Sequence, residues 1–553
     1  MPERKTKFLI PAVGAAVVVA GSVAAYMYLN GPTGEILGAK KSAKLVPAQA
    51  IMATYISTDS KAWSKLQQFG TPEAQNILAK NLEDYTRQVI GDSNISYEKD
   101  LKPWVGGVMI AILPPESAQT TQKTPQVPQE LNILKIVGIK DKLSALNFAN
   151  KLKEGKDITA KETDYKGEKI IETTNNGKLT YSAVLNDQVV FATQQQAVEK
   201  VINTFKGEPS FASQEGANNF LSKGVNLENT VAQMYVPNYA VMVQQLIAAS
   251  PQASQLPPQT LAQLKQVKSL EAGVGIDNAG LRMKAIANLD PQLVKYQYQN
   301  TPNQVVSQLP GDTIALVSGQ GISRWWAGLV EQSKDSKELS QALQQTRSSF
   351  QIANIDLDKD VFGWMDGEFG FAAIPSNQGV LASIGVGGAF IFHTSDRKTA
   401  EATFTKLDNL VKIQQVNVAQ TNIGGKDVTE WQIPQQGALL SHGWLNQDTV
   451  FVALGGPIAE AIASPKNSML DSSENFKAVT NSLPSPNGGY LYLDMDKAVP
   501  LLKNFATLQQ QPITPESMTI LSSIRGLGVT AISPDNSTSQ VEMLLALKPK
   551  TGN

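Results

Sequence analysis

Tyr97–Pro114 reads YEKDLKPWVGGVMIAILP, and Leu357–Pro375 reads LDKDVFGWMDGEFGFAAIP. Each opens as a charged turn ending in an aspartate, Asp100 or Asp360, with a tryptophan four residues on, Trp104 or Trp364. Each then passes through glycine into an apolar strand that stops at proline. Two such stretches in one chain point to an internal duplication, and the duplication organises the rest of the sequence.

Further markers recur in the same order on either side of the pair. Pro47 matches Pro310, each ahead of a short apolar strand (Ile51–Ile56, Ile314–Val317). Trp63 matches Trp326 at an offset of 263, inside helices predicted over Ser60–Phe69 and Ser323–Gln332. Asp100 and Trp104 lie 260 residues before Asp360 and Trp364. Tyr165–Lys169 matches the hairpin turn Ile423–Asp427, near 258, and LNDQVVF at Leu185–Phe191 matches LNQDTVF at Leu445–Phe451, at 260. Tyr235 then matches Tyr492 at 257, and Gly275 answers Gly528 at a smaller offset.

Periodicity fills in each unit. Ile133–Ile139 and Ile384–Phe392 read as buried strands. Lys142–Leu152 and Asp396–Val411 space their apolar residues three to four apart, as amphipathic helices do. Hairpins are predicted at Thr180–Ala192 and Gly443–Leu454, helices at Gln194–Phe205 and Pro457–Ala463, strands at Val231–Val236 and Gly489–Asp494, and closing hairpins at Ala272–Asn288 and Gly526–Leu547. Strands joined by short turns favour antiparallel pairing. The expected fold class is α+β: two tandem homologous units of antiparallel sheet with packed helices, preceded by one N-terminal transmembrane helix. The expected boundaries are a basic tail at 1–7, the span at 8–29, a Gly/Pro/Lys-rich linker at 30–44, unit 1 at 45–290, a Gln-rich connector at 291–307, unit 2 at 308–548 and a tail at 549–553. Two inserts break the symmetry. Pro114–Glu130 is Pro/Gln/Thr-rich and predicts a flexible hairpin tip. Val243–Lys268 predicts two short helices broken at Pro257-Pro258.

The span is Phe8–Leu29, 22 residues without a charge behind Arg4, Lys5 and Lys7. That run is long enough to cross a hydrocarbon core of about 30 Å at about 1.5 Å per residue. The basic flank favours a cytoplasmic N-terminus and an extracytoplasmic body. The alternative is a signal peptide cleaved after Ser22-Val23-Ala24, which places the body in the same compartment.

Composition excludes several chemistries. The 553 residues are 42% hydrophobic and 18% charged, and their net charge is −1. With no basic stripe or interleaved aromatics, no nucleic-acid partner is expected. The sequence has no cysteine and only two histidines, His393 and His442. Thiol chemistry, zinc ribbons and three-histidine metal sites are therefore absent. No GxSxG, HExxH, SxxK or Walker A motif occurs. No catalytic residue and no cofactor is expected.

Three kinds of candidate remain. Asp356, Asp358 and Asp360 carry the alternating acids of a calcium loop, but the EF-hand pattern places glycine sixth and glutamate twelfth, where Val361 and Gly367 stand. A solvated turn with a capping aspartate is the competing reading. The glycine clusters Gly385–Gly388 and Gly319–Gly321 fall short of GxGxxG and read as strand bulges. Trp63, Trp104, Trp326 and Trp364 recur in both units and read as core. Trp325, Trp431 and Trp444 belong to the second unit alone and, with Arg324, form the candidate binding surface.

The N-terminal apolar run, the V-P-A-Q-A-I-M opening at Val46–Met52, the repeated Asp-x-x-x-Trp strand and the doubled unit together resemble the cyanobacterial family called domain of unknown function 3352, over about Leu45–Lys548. The resemblance implies a membrane-attached protein facing the periplasm or thylakoid lumen, with no established activity and no transferred site residues. The reading that follows is a membrane-anchored, extracytoplasmic and non-enzymatic protein with a binding or assembly role and a membrane-protein partner. The alternatives are a carrier for a lipid or other apolar ligand and a carboxylate-dependent hydrolase.

Overall fold

The computed structural model describes residues 38–90, 96–114, 131–153, 158–175, 178–249, 258–294, 299–334, 336–509 and 511–550. The run Phe8–Leu29 and the insert at 115–130 lie outside them. Among the described residues no helix is long and apolar enough to cross a membrane. The chain is a mixed α+β protein of antiparallel sheets with many helices. It divides into two compact units. The first holds the residues to Val294 with Pro534–Gln540 and those from Lys548, and the second holds Lys295–Ser533 with Val541–Leu547.

The first unit contains β1 (Met52–Ile56), β2 (Val105–Leu113), β3 (Asn132–Ile139), β4 (Ile158–Tyr165), β5 (Glu168–Asn175), β6 (Lys178–Leu185), β7 (Gln188–Ala192), β8 (Thr230–Val236), β9 (Val267–Ile276) and β10 (Gly280–Leu289). They pair antiparallel in the order β4-β5-β6-β7-β3-β2-β1-β8-β9-β10. The hairpin tips sit at positive φ, at Lys166 (54°) and Gly167 (80°) in one and at Asn186 (57°) in the other, a conformation that glycine and asparagine tolerate best. Alternate residues of β2, β3 and β7 face one core, in which Met109, Leu134, Ile136 and Val190 meet Val198 and Ile202 of the helix Gln195–Phe205.

The second unit contains β11 (Ala315–Gln320), β12 (Glu368–Pro375), β13 (Val386–His393), β14 (Asn417–Ile423), β15 (Lys426–Ile433), β16 (Gly437–Trp444), β17 (Thr449–Leu454), β18 (Tyr490–Asp494) and most of β19 (Ile524–Asp535) and of β20 (Thr538–Leu547). Its strands run β14-β15-β16-β17-β13-β12-β11-β18-β19 through antiparallel pairs. Its apolar side chains gather around Trp364, around Met495 and around Trp326. Helix starts are fixed by side-chain caps. Ser336 accepts from Leu339 N, Asp396 from Thr399 N, and Asp494 from Asp496 N and Lys497 N.

Six described helices go beyond the sequence reading: Ala39–Ala43, which falls in the expected linker, Pro72–Ile90, Ala217–Lys223, Lys337–Gln351, Glu474–Thr480 and Pro515–Ser522. The insert before β9 carries the helices Tyr239–Ala248 and Pro258–Leu264, the second opening on Pro258. Gly387 and Gly388 form no bulge, because β13 keeps continuous register with β12 and β17. A Cβ on Gly387 would collide with Ile458 and the Leu454 carbonyl, so this glycine is required by close packing of the helix Gly456–Ala463. One bulge lies in β2, between Val105 and Val108, where Gly107 has φ 139° and a Cβ would strike the Tyr55 hydroxyl.

Candidate functional site

The acid-rich stretch of the second unit folds as a wide turn, with Phe362 N–H donating to Leu357 O five residues back (3.1 Å). Its three aspartates take three different roles. Asp356 Oδ1 accepts from the backbone N–H groups of Asp358 (3.0 Å) and Lys359 (3.1 Å), as a capping residue does. Asp358 accepts the Trp326 indole N–H (2.6 Å) and pairs with Arg347 (2.9 Å). Asp360 pairs with Lys406 (2.6 Å) and takes the Asp356 N–H on Oδ2 (2.8 Å). Partial burial works against the charged form of Asp360, but the lysine and the backbone N–H outweigh it and hold the carboxyl below its usual range. Each carboxylate thus faces an N–H or a cation. Among the described residues, no group of three or more His, Cys, Asp or Glu is placed to hold a metal.

The Asp360 carbonyl accepts the Trp364 indole N–H (2.8 Å) and the Thr403 hydroxyl. Trp364 is buried edge-on to Phe392 (ring centroids 5.5 Å) and beside Phe404 (6.0 Å). Phe404 comes from the helix Arg397–Ile413 and stacks in turn on His442 of β16 (4.5 Å). One turn further along that helix, Asp408 Oδ1 meets His442 Nε2 (2.9 Å) and the Trp431 indole N–H (2.7 Å). Burial again opposes the charge on Asp408, while the bonds from His442 and Trp431 pull its carboxyl below the ordinary value. A carboxylate and an imidazole in contact can orient a general base. Among the described residues, however, no hydroxyl bonds the His442 ring. Ser441 is the next residue along, and its buried hydroxyl has no partner; neighbouring side chains on a strand point to opposite faces. The pair is built as packing, with one polar contact inside an aromatic cluster.

The four candidate binding residues are not brought together. Trp431 is spent on Asp408, and Trp444 lies under the Arg397 guanidinium, 4.1 Å from its ring centroid. Trp325 is 60% exposed on the first turn of the helix Ile322–Ser333, next to buried Trp326. Arg324 packs over Gly321 and has no ion-pair partner among the described residues. His393, at the end of β13, meets Gln308 (3.2 Å). A pocket of about 180 Å³ on this unit is lined by residues that include Pro310, Asp312, Glu460 and Lys466, and none of the candidates lines it. Sequence reasoning did not find Asp408. The one signal it offered is an acid four residues after Phe404, on the apolar stripe of an amphipathic helix.

The first unit repeats the turn with other neighbours. Lys102 N–H donates to Tyr97 O (2.8 Å), and the Trp104 indole donates to Asp100 O (2.8 Å). Asp100 takes Ser96 N–H (2.8 Å) and pairs with Lys151 (2.7 Å). Burial is again outweighed by the lysine and the backbone, and the Asp100 carboxyl is held low.

A family model described as Protein of unknown function (DUF3352) matches residues 12–547. No curated protein matches the chain. Three solved structures, crystal forms IV, III and I of TP0453, are 10%, 10% and 9% identical to it. They cover 45%, 46% and 46% of this chain and 80%, 82% and 81% of their own, with TM-scores of 0.26, 0.26 and 0.27. A likeness of that size has no bearing on fold or function.

Proposed function

The chain belongs to the DUF3352 family, described as of unknown function, and we propose for it a non-enzymatic binding or assembly role on a body held to a membrane by its N-terminal apolar run. One observation carries the reading. In the second unit the aspartates that chemistry would need are held by structural partners, while Trp325 stands 60% exposed beside Arg324. A large indole next to a guanidinium is the kind of group that dominates protein–protein contacts when a partner covers it. The hydrolase alternative loses support for the same reason, since the carboxylates of the turn and of the aromatic cluster are neutralised in place.

The anchor rests on Phe8–Leu29 and its basic flank, and the family match begins at residue 12, inside that run. On this reading both units lie outside the cytoplasm, and the family resemblance suggests the periplasm or thylakoid lumen of a cyanobacterium. We also read the two units as products of duplication. The shared pairing order of their strands and the twin tryptophan turns support that view.

The test is a photo-crosslinking amino acid placed at position 325 of the full-length protein in intact cells, with position 80 as a surface control. A reproducible adduct to a second membrane protein at 325 alone is the expected result. Equal labelling at both positions, or none at 325, overturns the binding role assigned to Trp325. Alkaline carbonate extraction checks the anchor separately, since a spanning segment stays in the pellet and a cleaved leader releases the body.

A further inference from the structure

The helix Lys142–Lys153 of the first unit shows two leucines to solvent. Leu143 is 68% exposed and Leu146 57%, three residues apart on one face. Leaving a leucine in water forgoes the gain of burial, so both side chains are available to a surface that covers them.

The second unit shows what the fold itself asks of these two positions. Asp141 takes the Ser144 N–H at the head of the helix (2.6 Å), as Asp396 takes the Thr399 N–H (3.1 Å). Lys151 pairs with Asp100 of the tryptophan turn, as Lys406 pairs with Asp360. Both matches fall at an offset of 255. At that offset Leu143 and Leu146 answer Lys398 and Glu401, which are exposed as well, and Glu401 pairs with Arg397 (2.6 Å). Charged residues thus satisfy the same places on the same scaffold, and the leucines of the first unit serve something other than its folding.

The entry of the chain points to what covers them. Lys41, of the helix Ala39–Ala43, pairs with Asp187 at the tip between β6 and β7. Asp187 O takes the Ile139 N–H at the end of β3 (2.8 Å), three residues before the helix Lys142–Lys153 begins. From Ala43 the chain runs to the opposite end of the sheet, where Ile51 N–H donates to Ile112 O (2.9 Å). The chain therefore enters the unit at the end where the leucines are exposed. Gly38 comes nine residues after Leu29, which puts the two at most about 30 Å apart. A bilayer crossed by Phe8–Leu29 is within that distance of the entry point.

The charge at this end fits a lipid surface. Glu98 pairs with Lys102 through Oε2, its Oε1 being buried without a partner, Asp100 pairs with Lys151, and Asp187 with Lys41. Asp141 stands against its neighbour Lys140. Lys40, Lys99 and Lys142 are exposed and exceed that balance. Leucines flanked by lysines are what an interfacial helix presents to anionic lipid.

We propose that the helix Lys142–Lys153 lies on the surface of the bilayer that anchors the chain, with Leu143 and Leu146 among the headgroups and the surplus lysines on anionic lipid. This docking rests on the N-terminal anchor proposed above, and it adds a second contact that sets which end of the first unit faces the membrane.

The chain has no cysteine, so one introduced cysteine takes one label. Asn147→Cys, on the exposed face, and its match Ala402→Cys in the second unit are both exposed positions. Each full-length variant carries the fluorophore NBD in vesicles of phosphatidylcholine with about one third phosphatidylglycerol, with and without nitroxide-bearing lipid. The label at 147 is expected to be quenched at least about twofold more than the label at 402. Leu143→Lys with Leu146→Glu, the residues of the second unit, should bring the quenching at 147 down to that at 402. Equal quenching at the two positions, which a face meant for a protein partner would give, overturns the docking, as does quenching at 147 that survives the double substitution. Alkaline carbonate extraction of the same vesicles separates the two readings. Equal quenching on protein that stays in the pellet sinks the docking alone, and equal quenching on protein that is released sinks the anchor with it. Quenching confined to 147 on released protein removes the anchor and keeps the docked helix.

Discussion

At Tyr97–Trp104 and at Leu357–Trp364 the chain builds the same local structure. In both, an i to i+5 bond widens the turn, a tryptophan indole returns to the aspartate carbonyl at 2.8 Å, and the aspartate carboxylate holds a backbone N–H at 2.8 Å and a lysine from the next helix. The surroundings diverge. Around Trp364 the helix Arg397–Ile413 buries Ala400, Thr403 and Phe404. Around Trp104 the helix Lys142–Lys153 buries none of its described residues, leaves Leu143 and Leu146 exposed, and offers Phe148 as the aromatic neighbour (5.4 Å). The second turn carries extra acids and the first extra lysines. The comparison separates what a tryptophan turn needs in order to form from what each unit adds around it.

The largest test of that separation is removal of the indoles. Trp364→Ala opens a cavity in a packed aromatic cluster and should cost about 3–5 kcal/mol. Trp104→Ala removes the same local bond from a thinner surround and should cost about 3 kcal/mol, at the lower end of that range. Denaturant midpoints of the two variants measure the gap. Equal losses would mean that the turn, and not its surroundings, holds each tryptophan in place.

The next test concerns the acids that are not shared in role. Asp358 accepts an indole N–H and a guanidinium, so Asp358→Ala leaves two donors without their acceptor and should cost about 1–2 kcal/mol. Glu98 occupies the matching position and makes an i,i+4 pair with Lys102. Glu98→Ala should cost under about 0.5 kcal/mol. A large loss at Glu98 would show that its buried, unpaired oxygen has a partner in solution.

The turns were legible because their chemistry is local. Asp, Trp, glycine and an apolar strand sit within nineteen residues, and the indole bond closes four residues back. Most strands and the hairpin tips were legible for the same reason, from alternation and from Lys-Gly, Gly-Gly and Asn-Asp turns. Pro72–Ile90 and Lys337–Gln351 were missed although each is as amphipathic as Arg397–Ile413. The lysines that complete the turns come from 51 and 46 residues downstream, and His442 lies 34 residues from Asp408. No spacing rule reaches that far, since such contacts depend on which helix packs over which strand. The candidate surface separated on the same ground. Trp431 and Trp444 look alike in sequence to Trp325, but each is claimed by a charged residue from the helix Arg397–Ile413.

The smallest test asks whether the shared part is equal in the two turns. Asp100→Asn and Asp360→Asn keep an oxygen that can accept the backbone N–H and remove the charge that meets Lys151 or Lys406. Each should cost about 1 kcal/mol at pH 7, because a charge-assisted bond becomes a neutral one. The pH dependence fixes the assignment. Both carboxyls are held below their usual range in the folded state, so their contribution is fully present above the unfolded value near 3.8 and is lost as pH falls through the folded value. The difference between wild type and each asparagine variant should therefore be constant from neutral pH to about 5 and shrink below about 4. Parallel curves for the two variants would establish a common electrostatic clamp at both turns. A difference that persists undiminished at pH 2 would assign the loss to side-chain geometry and break the equivalence at whichever turn shows it.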